Sequence, residues 1–389
     1  MTTTKAAGAS GPRIYPNVDA VVTALRPSYP VFCVRAGRLT ARARTFIEGF
    51  PGTVLYAVKC NPHPFVLRTL YKAGIHNFDS ASLPEIALVS ELFEEPGLFF
   101  HHPIKSRAAI QSAYRVYGVR HYTIDHWKEL EKIREEIRRV EGIDEPPIIH
   151  VRVATPPSGA SYELSRKFGA TREDAIKLLD KVHEYGFECG ISFHVGSQCV
   201  DPEAWRRGFE VVRDVLAGTQ AKPRWINCGG GFPAHYGGQE PPPLDVFLDI
   251  IKEEWARLDL GPDAHLLCEP GRGMVADSVS LLVRVMLRKG DRLYLNDGVF
   301  GSLSEIRDAN LTPPVRLIKR DGSPKSETMQ EFTFYGPTCD SLDMLPSRFM
   351  LPDDVEEGDW IDIGQIGAYS NAVSSDFNGF RAETFVLVE

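Results

Sequence analysis

No stretch of this 389-residue chain approaches the ~20 consecutive apolar residues that a membrane helix needs. Positive charge is not in excess either: 44 Lys and Arg against 52 Asp and Glu leave a net charge of −8. That balance argues against a nucleic-acid backbone or an anionic membrane as partner. The seven cysteines, at 33, 60, 189, 199, 228, 268 and 339, are odd in number and form no CxxC pair. Neither a zinc ribbon nor a disulfide framework is indicated, and a reducing compartment is expected. Met1 to Pro16 carries no apolar h-region, so no secretory signal is read there and a cytoplasmic location is expected. No HExxH is present, His101-His102 is the only adjacent histidine pair, and no metal site is expected. The absence of GxSxG removes the main signal for an α/β-hydrolase, and no Walker sequence occurs.

What the chain does have is regular alternation. Eight short apolar runs recur: Val54–Val58, Ile75–Phe78, Leu98–Phe100, His121–Ile124, Ile148–Val153, Gly190–His194, Trp225–Cys228 and Leu266–Cys268. Helical patterns lie between them, among them Leu83–Phe93, Trp127–Val140, Arg172–Tyr185, Asp201–Leu216 and Asp245–Leu258. Alternating strands and helices imply parallel pairing, and eight such units predict an α/β fold built on a (β/α)8 barrel. The pattern alone also allows an open doubly wound sheet. Beyond Ala276 the texture changes to strand candidates without long helices: Val279–Leu287, Asp291–Leu295, Val315–Ile318, Glu331–Tyr335, Trp360–Ile363 and Thr384–Val388. Asp321-Gly322 supplies a hairpin signal. The expected organisation is a tail and strand over residues 1–33, the barrel over 34–275 and a C-terminal antiparallel β domain over 276–389, which Val31–Val34 would join. Thr155–Glu163, rich in Pro, Ser and Gly, is a candidate lid loop.

Barrel enzymes place their chemistry at the C-terminal ends of the strands. The first proposed strand ends in Lys59, the second in Asp79 and the sixth in His194; the fifth contains Arg152, the seventh opens into Gly229-Gly230-Gly231, and the eighth ends in Glu269. Each has a structural alternative. Lys59 can snorkel to the rim, Asp79 can cap a helix, Arg152 can sit in an ion pair, His194 can be a satisfied core histidine, and Glu269 can pair with Arg272. Their convergence on one barrel mouth is harder to explain as structure. A lysine closing an apolar run is desolvated, which lowers its pKa and suits it to Schiff-base formation. Consecutive glycines expose backbone N–H groups that can cradle a phosphate, with the Ser197 hydroxyl in the same layer. A Schiff-base lysine, a planar imidazole, a carboxylate and a phosphate site are the requirements of pyridoxal 5′-phosphate chemistry, in which the carboxylate keeps the pyridine nitrogen protonated.

Six motifs, in order, carry a family resemblance: Tyr56-Ala-Val-Lys-Cys-Asn61, Phe193-His-Val-Gly-Ser197, Gly229-Gly-Gly-Phe-Pro233, Glu269-Pro-Gly-Arg272, Tyr335-Gly-Pro-Thr-Cys-Asp340 and Gly367-Ala-Tyr369. Over about residues 30–385 the chain resembles the fold-type III pyridoxal-phosphate-dependent amino acid decarboxylases, most closely the ornithine/lysine branch. The resemblance implies an alanine racemase-like barrel plus a β domain, and a homodimer whose active sites are shared across the interface. It implies Lys59 as the cofactor's lysine, Glu269 at the pyridine nitrogen, His194 stacked on the ring, and Asp79 and Arg152 around them. Ser197, Gly229, Gly230, Gly231, Arg272 and Tyr369 would hold the phosphate. Cys339 would come from the partner subunit and protonate Cα, and Asp340 would bind the distal amine of the substrate. Phe168 and Gly169 match the sequence flanking the family's lid. The implied activity is that of a carboxy-lyase converting ornithine or lysine to a diamine, a step of polyamine biosynthesis.

One segment departs from the ornithine pattern. Ungapped alignment puts Ala309 where a second acidic residue is expected, with Asp308 one position away. Ile306-Arg307 resembles the Ile-Arg of diaminopimelate decarboxylases, where an arginine can meet a distal carboxylate; alternatively Arg307 pairs with Asp308 or Glu305. A substrate with a distal carboxylate or modified end is therefore the alternative. Two further readings are a racemase on the related barrel and an inactive regulator. Racemases need a second base on the opposite face of Cα, and inactive homologues lose key site residues that are all present here.

Overall fold

The computed structural model describes residues 13–139 and 145–389 and divides into two compact units. One comprises Leu39–Asp277 together with Gly367–Ala372; the other comprises the segment ending at Arg38, Ser278–Ile366 and Val373–Glu389. Val140, the last residue of one expected helix, and the first twelve residues of the expected tail lie outside the described residues. Among the described residues no helix is long and apolar enough to cross a membrane.

Strands are numbered along the chain. β1 (Ile14–Tyr15) and β2 (Val31–Val34) belong to the β-rich unit. β3 (Thr53–Ala57), β4 (Asn77–Asp79), β5 (Gly97–Phe100), β6 (His121–Ile124), β7 (Ile148–Arg152), β8 (Glu188–Ser192), β9 (Trp225–Asn227) and β10 (His265–Cys268) form a closed parallel barrel in chain order, β10 pairing with β3. The expected (β/α)8 barrel is therefore present, and the open sheet is excluded. Strands covered on both faces read as continuous apolar runs; Val54 to Ala57 are all buried. The helices between them are set by caps and by apolar faces. Ser82 accepts the Glu85 N–H at the start of Leu83–Leu92, and Thr171 accepts that of Asp174 at the start of Arg172–Glu184. Helix Glu203–Leu216 buries Trp205, Phe209, Val212 and Val215 on one face. Inside the barrel Leu55, Phe99 and Leu267 form the apolar floor, with Trp225 packed against them.

The β-rich unit continues with β11 (Val279–Lys289), β12 (Arg292–Leu295), β13 (Val315–Ile318), β14 (Met329–Tyr335), β15 (Met344–Pro352), β16 (Trp360–Ile363) and β17 (Thr384–Val388). The long β11 is its axis, pairing antiparallel with β2, β12 and β16. The pairs β1–β17, β17–β2 and β12–β14 are parallel. Its core gathers Tyr15, Val18, Val21, Val31, Leu282, Ile318 and Trp360. The Asp321-Gly322 hairpin expectation is corrected. A turn forms there, with Gly322 at φ 72°, but β13 before it pairs with β16 and β14 after it pairs with β12 and β15. Turn chemistry fixes the local reversal and leaves the choice of partner to packing.

Candidate active site

The C-terminal mouth of the barrel gathers the expected strand-end side chains. Lys59 stands in the single turn Val58–Cys60 after β3, and its Nζ donates to Asp79 Oδ2 at 3.0 Å. The Lys59 side chain is 42% exposed and that of Asp79 2%. The expected lowering of the lysine pKa is corrected. Burial does act in that direction, but Asp79, with Tyr369 and Glu269, outweighs it and raises the pKa, so Lys59 is held as an ammonium. Sequence position supplied the desolvation; it could not supply the carboxylate on the neighbouring strand.

Glu269 follows β10 and accepts two hydrogen bonds on Oε1, from His101 Nδ1 at 2.6 Å and Asn227 Nδ2 at 2.6 Å. Burial alone would raise this carboxyl, yet His101, Lys59 and Asn227 bring it down to about 2, so it is ionised. Because both donors converge on Oε1, Oε2 remains for a further donor. His101 and Asn227 are functional neighbours the sequence reading did not single out. His101 stands directly after β5, so the strand-end rule that found Glu269 finds it too.

β8 ends at Ser192, so His194, expected as the last residue of its strand, lies two residues beyond it. Burial, with Arg152 and Lys59 nearby, lowers its pKa to about 3. The ring is neutral, and since Nδ1 accepts the Gly196 N–H at 3.0 Å the proton resides on Nε2. Arg152 ends β7, lies 5.5 Å from the Phe168 ring centre, and is drawn electrostatically to Glu269, Asp125 and Asp79. Gly169, beside Phe168, donates its N–H to Asp125 Oδ2. The Thr155–Glu163 loop is fastened to the segment after β8. Thr155 Oγ1 donates to His194 O, Ser158 Oγ to Val195 O, and Tyr162 and Ser197 pair through their backbones.

The glycine triplet is demanded by close approach. A Cβ on Gly230 would sit 2.4 Å from Glu269 O and 3.2 Å from His194 Nε2; one on Gly231, at φ 109°, would sit 2.4 Å from Gly196 O. Gly229 leads into them at φ 68°. Beside the triplet, Arg272 Nη2 donates to Ser197 Oγ and Nη1 to Tyr236 Oη, both at 3.3 Å, and the guanidinium lies 5.2 Å from the Tyr369 ring centre. Tyr369 reaches this unit from far along the chain: its N–H donates to Cys60 O at 2.9 Å, and Asn61 Nδ2 donates to Gly367 O at 2.9 Å. Ser197, Gly231, Arg272 and Tyr369 line one cleft with Lys59, His194 and Glu269.

In the β-rich unit, Cys339 is the one exposed cysteine of the seven. Its Sγ lies 3.4 Å from Asn378 Oδ1. Asp340 accepts the Leu342 N–H and lines a cavity of about 720 Å3 with Tyr29, Tyr294, Tyr335 and Arg381. The loop is shaped by Asp343, another residue the sequence reading passed over. Asp343 is 3% exposed and accepts from Val299 N–H, Thr338 N–H and Thr338 Oγ1. In helix Ser304–Asp308, Arg307 Nε donates to Asp308 Oδ1 at 2.7 Å, while Ala309 is buried.

A neutral imidazole, an ionised carboxylate, a lysine ammonium and an N–H-rich glycine turn with an arginine beside it form a donor set suited to a phosphorylated pyridine aldehyde. Residues 36–276 match the model of the pyridoxal-dependent decarboxylase pyridoxal-binding domain. The chain belongs to the pyridoxal-dependent decarboxylases. A relative in Aspergillus flavus, decarboxylase flvG, is 32% identical over 347 residues, covering 84% of this chain and 78% of that one. A lysine/ornithine decarboxylase of Selenomonas ruminantium is 30% identical over 345 residues, covering 86% and 83%. The Paramecium bursaria Chlorella virus arginine decarboxylase, solved with agmatine, superposes with a TM-score of 0.82 at 26% identity, covering 96% of this chain and 99% of that one. Like its relatives, this decarboxylase uses pyridoxal 5′-phosphate, and the residues of the barrel mouth fit it. The glycine triplet leaves backbone approach that any Cβ would fill, and Glu269 keeps one carboxylate oxygen for the pyridine nitrogen.

Proposed function

We propose that this decarboxylase acts on a basic L-amino acid, ornithine or lysine, and releases CO2 and a diamine of the polyamine type. When bound, pyridoxal 5′-phosphate supplies an electron sink for the bond broken at the substrate Cα. Lys59 is the cofactor's attachment point, and Asp79 holds or accepts the proton at Nζ. Glu269 orients and stabilises a protonated pyridine nitrogen through Oε2, with His101 and Asn227 fixing the carboxylate by Oε1. His194 presents a neutral, flat ring face, so it adds no positive charge to the site. Arg272, Ser197, Tyr369 and the N–H groups of Gly229, Gly230 and Gly231 bind the phosphate, and Arg152 adds positive charge near the ring's substituents.

Cys339 and Asp340 complete the site, contributed by a second copy of the chain in a homodimer. Cys339 delivers the proton to Cα, a role its exposed thiol supports, and Asp340 receives the distal ammonium through a charge-assisted hydrogen bond. The observation that carries the choice of substrate is the 2.7 Å pairing of Arg307 with Asp308. It satisfies the one cation of that segment that a distal carboxylate would require, and so favours the basic amino acid over a diaminopimelate-like substrate. CO2 release from L-ornithine, L-lysine, L-arginine and meso-diaminopimelate by the cofactor-loaded protein tests this. Turnover of ornithine or lysine, reduced at least about tenfold by Asp340→Asn, is expected; turnover of diaminopimelate alone would overturn it.

A further inference from the structure

Beneath Glu269 the barrel lumen carries imidazoles where aliphatic side chains are usual. His101 follows β5, His121 opens β6 and His150 is central in β7. One ring nitrogen of each lies within 4.8 Å of the other two. His121 Nδ1 and His150 Nε2 are 3.0 Å apart, and the His101 and His150 rings are 4.8 Å centre to centre. Phe99 and Trp225 wall the cluster, 4.2 Å and 4.7 Å from the His121 ring centre.

Two nitrogens in this cluster lack partners. His150 is fully buried and its Nδ1 meets no donor or acceptor, and the same holds for His101 Nε2, on a side chain 2% exposed. An unsatisfied polar atom in such a place is costly. Glu269 Oε1 lies 2.6 Å from His101 Nδ1, so the neutral ring places its proton on that nitrogen and presents Nε2 as the lone pair. A carboxylate behind one imidazole nitrogen, with the other nitrogen free, is the arrangement that orients metal-binding histidines and raises their basicity.

We propose that His101, His121 and His150 form a binding site for a divalent transition metal, zinc above all, set in the barrel lumen and tied through His101 to Glu269. Three imidazole nitrogens without an oxygen ligand select zinc, cobalt or nickel over calcium or magnesium. A tetrahedral zinc at about 2.0–2.1 Å from each nitrogen sets nitrogen–nitrogen edges of roughly 3.3 Å. The 3.0 Å separation of His121 Nδ1 and His150 Nε2 is close to that edge, and a ring nitrogen of His101 within the same 4.8 Å cluster supplies the third. The fourth position is left to water. His121, half-buried at the N-terminal end of its strand, is the least buried of the three. The neighbouring trio of Asp79, His101 and Glu269 is equally close, but the Lys59 ammonium already pairs with Asp79 and repels a cation there. The proposal is independent of which amino acid the enzyme decarboxylates.

The test uses untagged, chelator-treated, cofactor-loaded protein, with zinc measured by equilibrium dialysis and Co2+ by visible absorption. About one zinc per chain and the ligand-field band of a tetrahedral cobalt site are expected. His121→Asn and His150→Asn should each weaken zinc at least about tenfold, while His183→Asn, on an outer helix, should change nothing. Far-UV circular dichroism and the cofactor absorbance report whether each variant is folded. Should His150→Asn fail to fold, His121→Asn alone decides. Failure to retain zinc, or zinc held equally by His121→Asn, would overturn the site.

Discussion

The two layers of the barrel lumen solve opposite problems with the same eight strands. At the mouth Lys59, Arg152 and Glu269 remain charged, each offset by a partner of opposite sign or by donors on a neighbouring strand. One layer down, Leu55, Phe99 and Leu267 pack without polar atoms, and the histidines among them are neutral. Charged side chains are kept at the mouth, and the layer below is built from apolar and uncharged ones. Mouth substitutions are therefore expected to remove function at little cost in stability, and floor substitutions the reverse.

The largest expected effect is at the mouth. Lys59→Ala should abolish CO2 release while leaving the melting temperature near that of the parent; a variant that kept parental turnover would sink the assignment of Lys59. Gly231→Ala comes next. Its Cβ would meet Gly196 O at 2.4 Å at a backbone conformation that L side chains rarely adopt, so cofactor affinity measured by absorbance titration should fall by at least about tenfold. Leu55→Ala, on the floor, should cost roughly 2–5 kcal/mol in urea unfolding and leave the cofactor spectrum unchanged. A spectrum lost at full folding would erase the distinction between the layers. The smallest effect is in pH. His194 takes a proton at about 6.5 when unfolded but only at about 3 when folded. The unfolded chain therefore binds the extra proton across that window, and apo-protein stability should fall as pH drops from 6.5 toward 3. His194→Phe should flatten this part of the profile in thermal melts.

The barrel was legible because buried parallel strands leave uninterrupted apolar runs, and because the mouth residues sit at predictable strand ends. What escaped was set by contacts between distant segments. β15 contains Pro346 and ends in Pro352, residues that read against a strand; it is tolerated at the edge of its sheet, where some backbone N–H groups need no partner. β1 has only two residues and no pattern to detect. The sign of the Lys59 shift depends on Asp79, 20 residues away, and the histidine cluster joins positions 101, 121 and 150, whose spacing matches no metal motif. Asp343 escaped because its value lies in three donors it gathers around a loop, which composition does not reveal.

The Gly367–Ala372 segment carries a consequence for how the protein is made. It belongs with the barrel, yet it is separated from the rest of that unit by the 89 residues of 278–366, and the bond from Asn61 to Gly367 spans 306 positions. During synthesis from the N-terminus, all eight barrel strands leave the ribosome before Tyr369 exists. The nascent barrel must therefore wait, with the phosphate end of its site incomplete, until Tyr369 has been added. Contacts of such separation slow folding, so cofactor capture is expected only after the Gly367–Ala372 segment has docked.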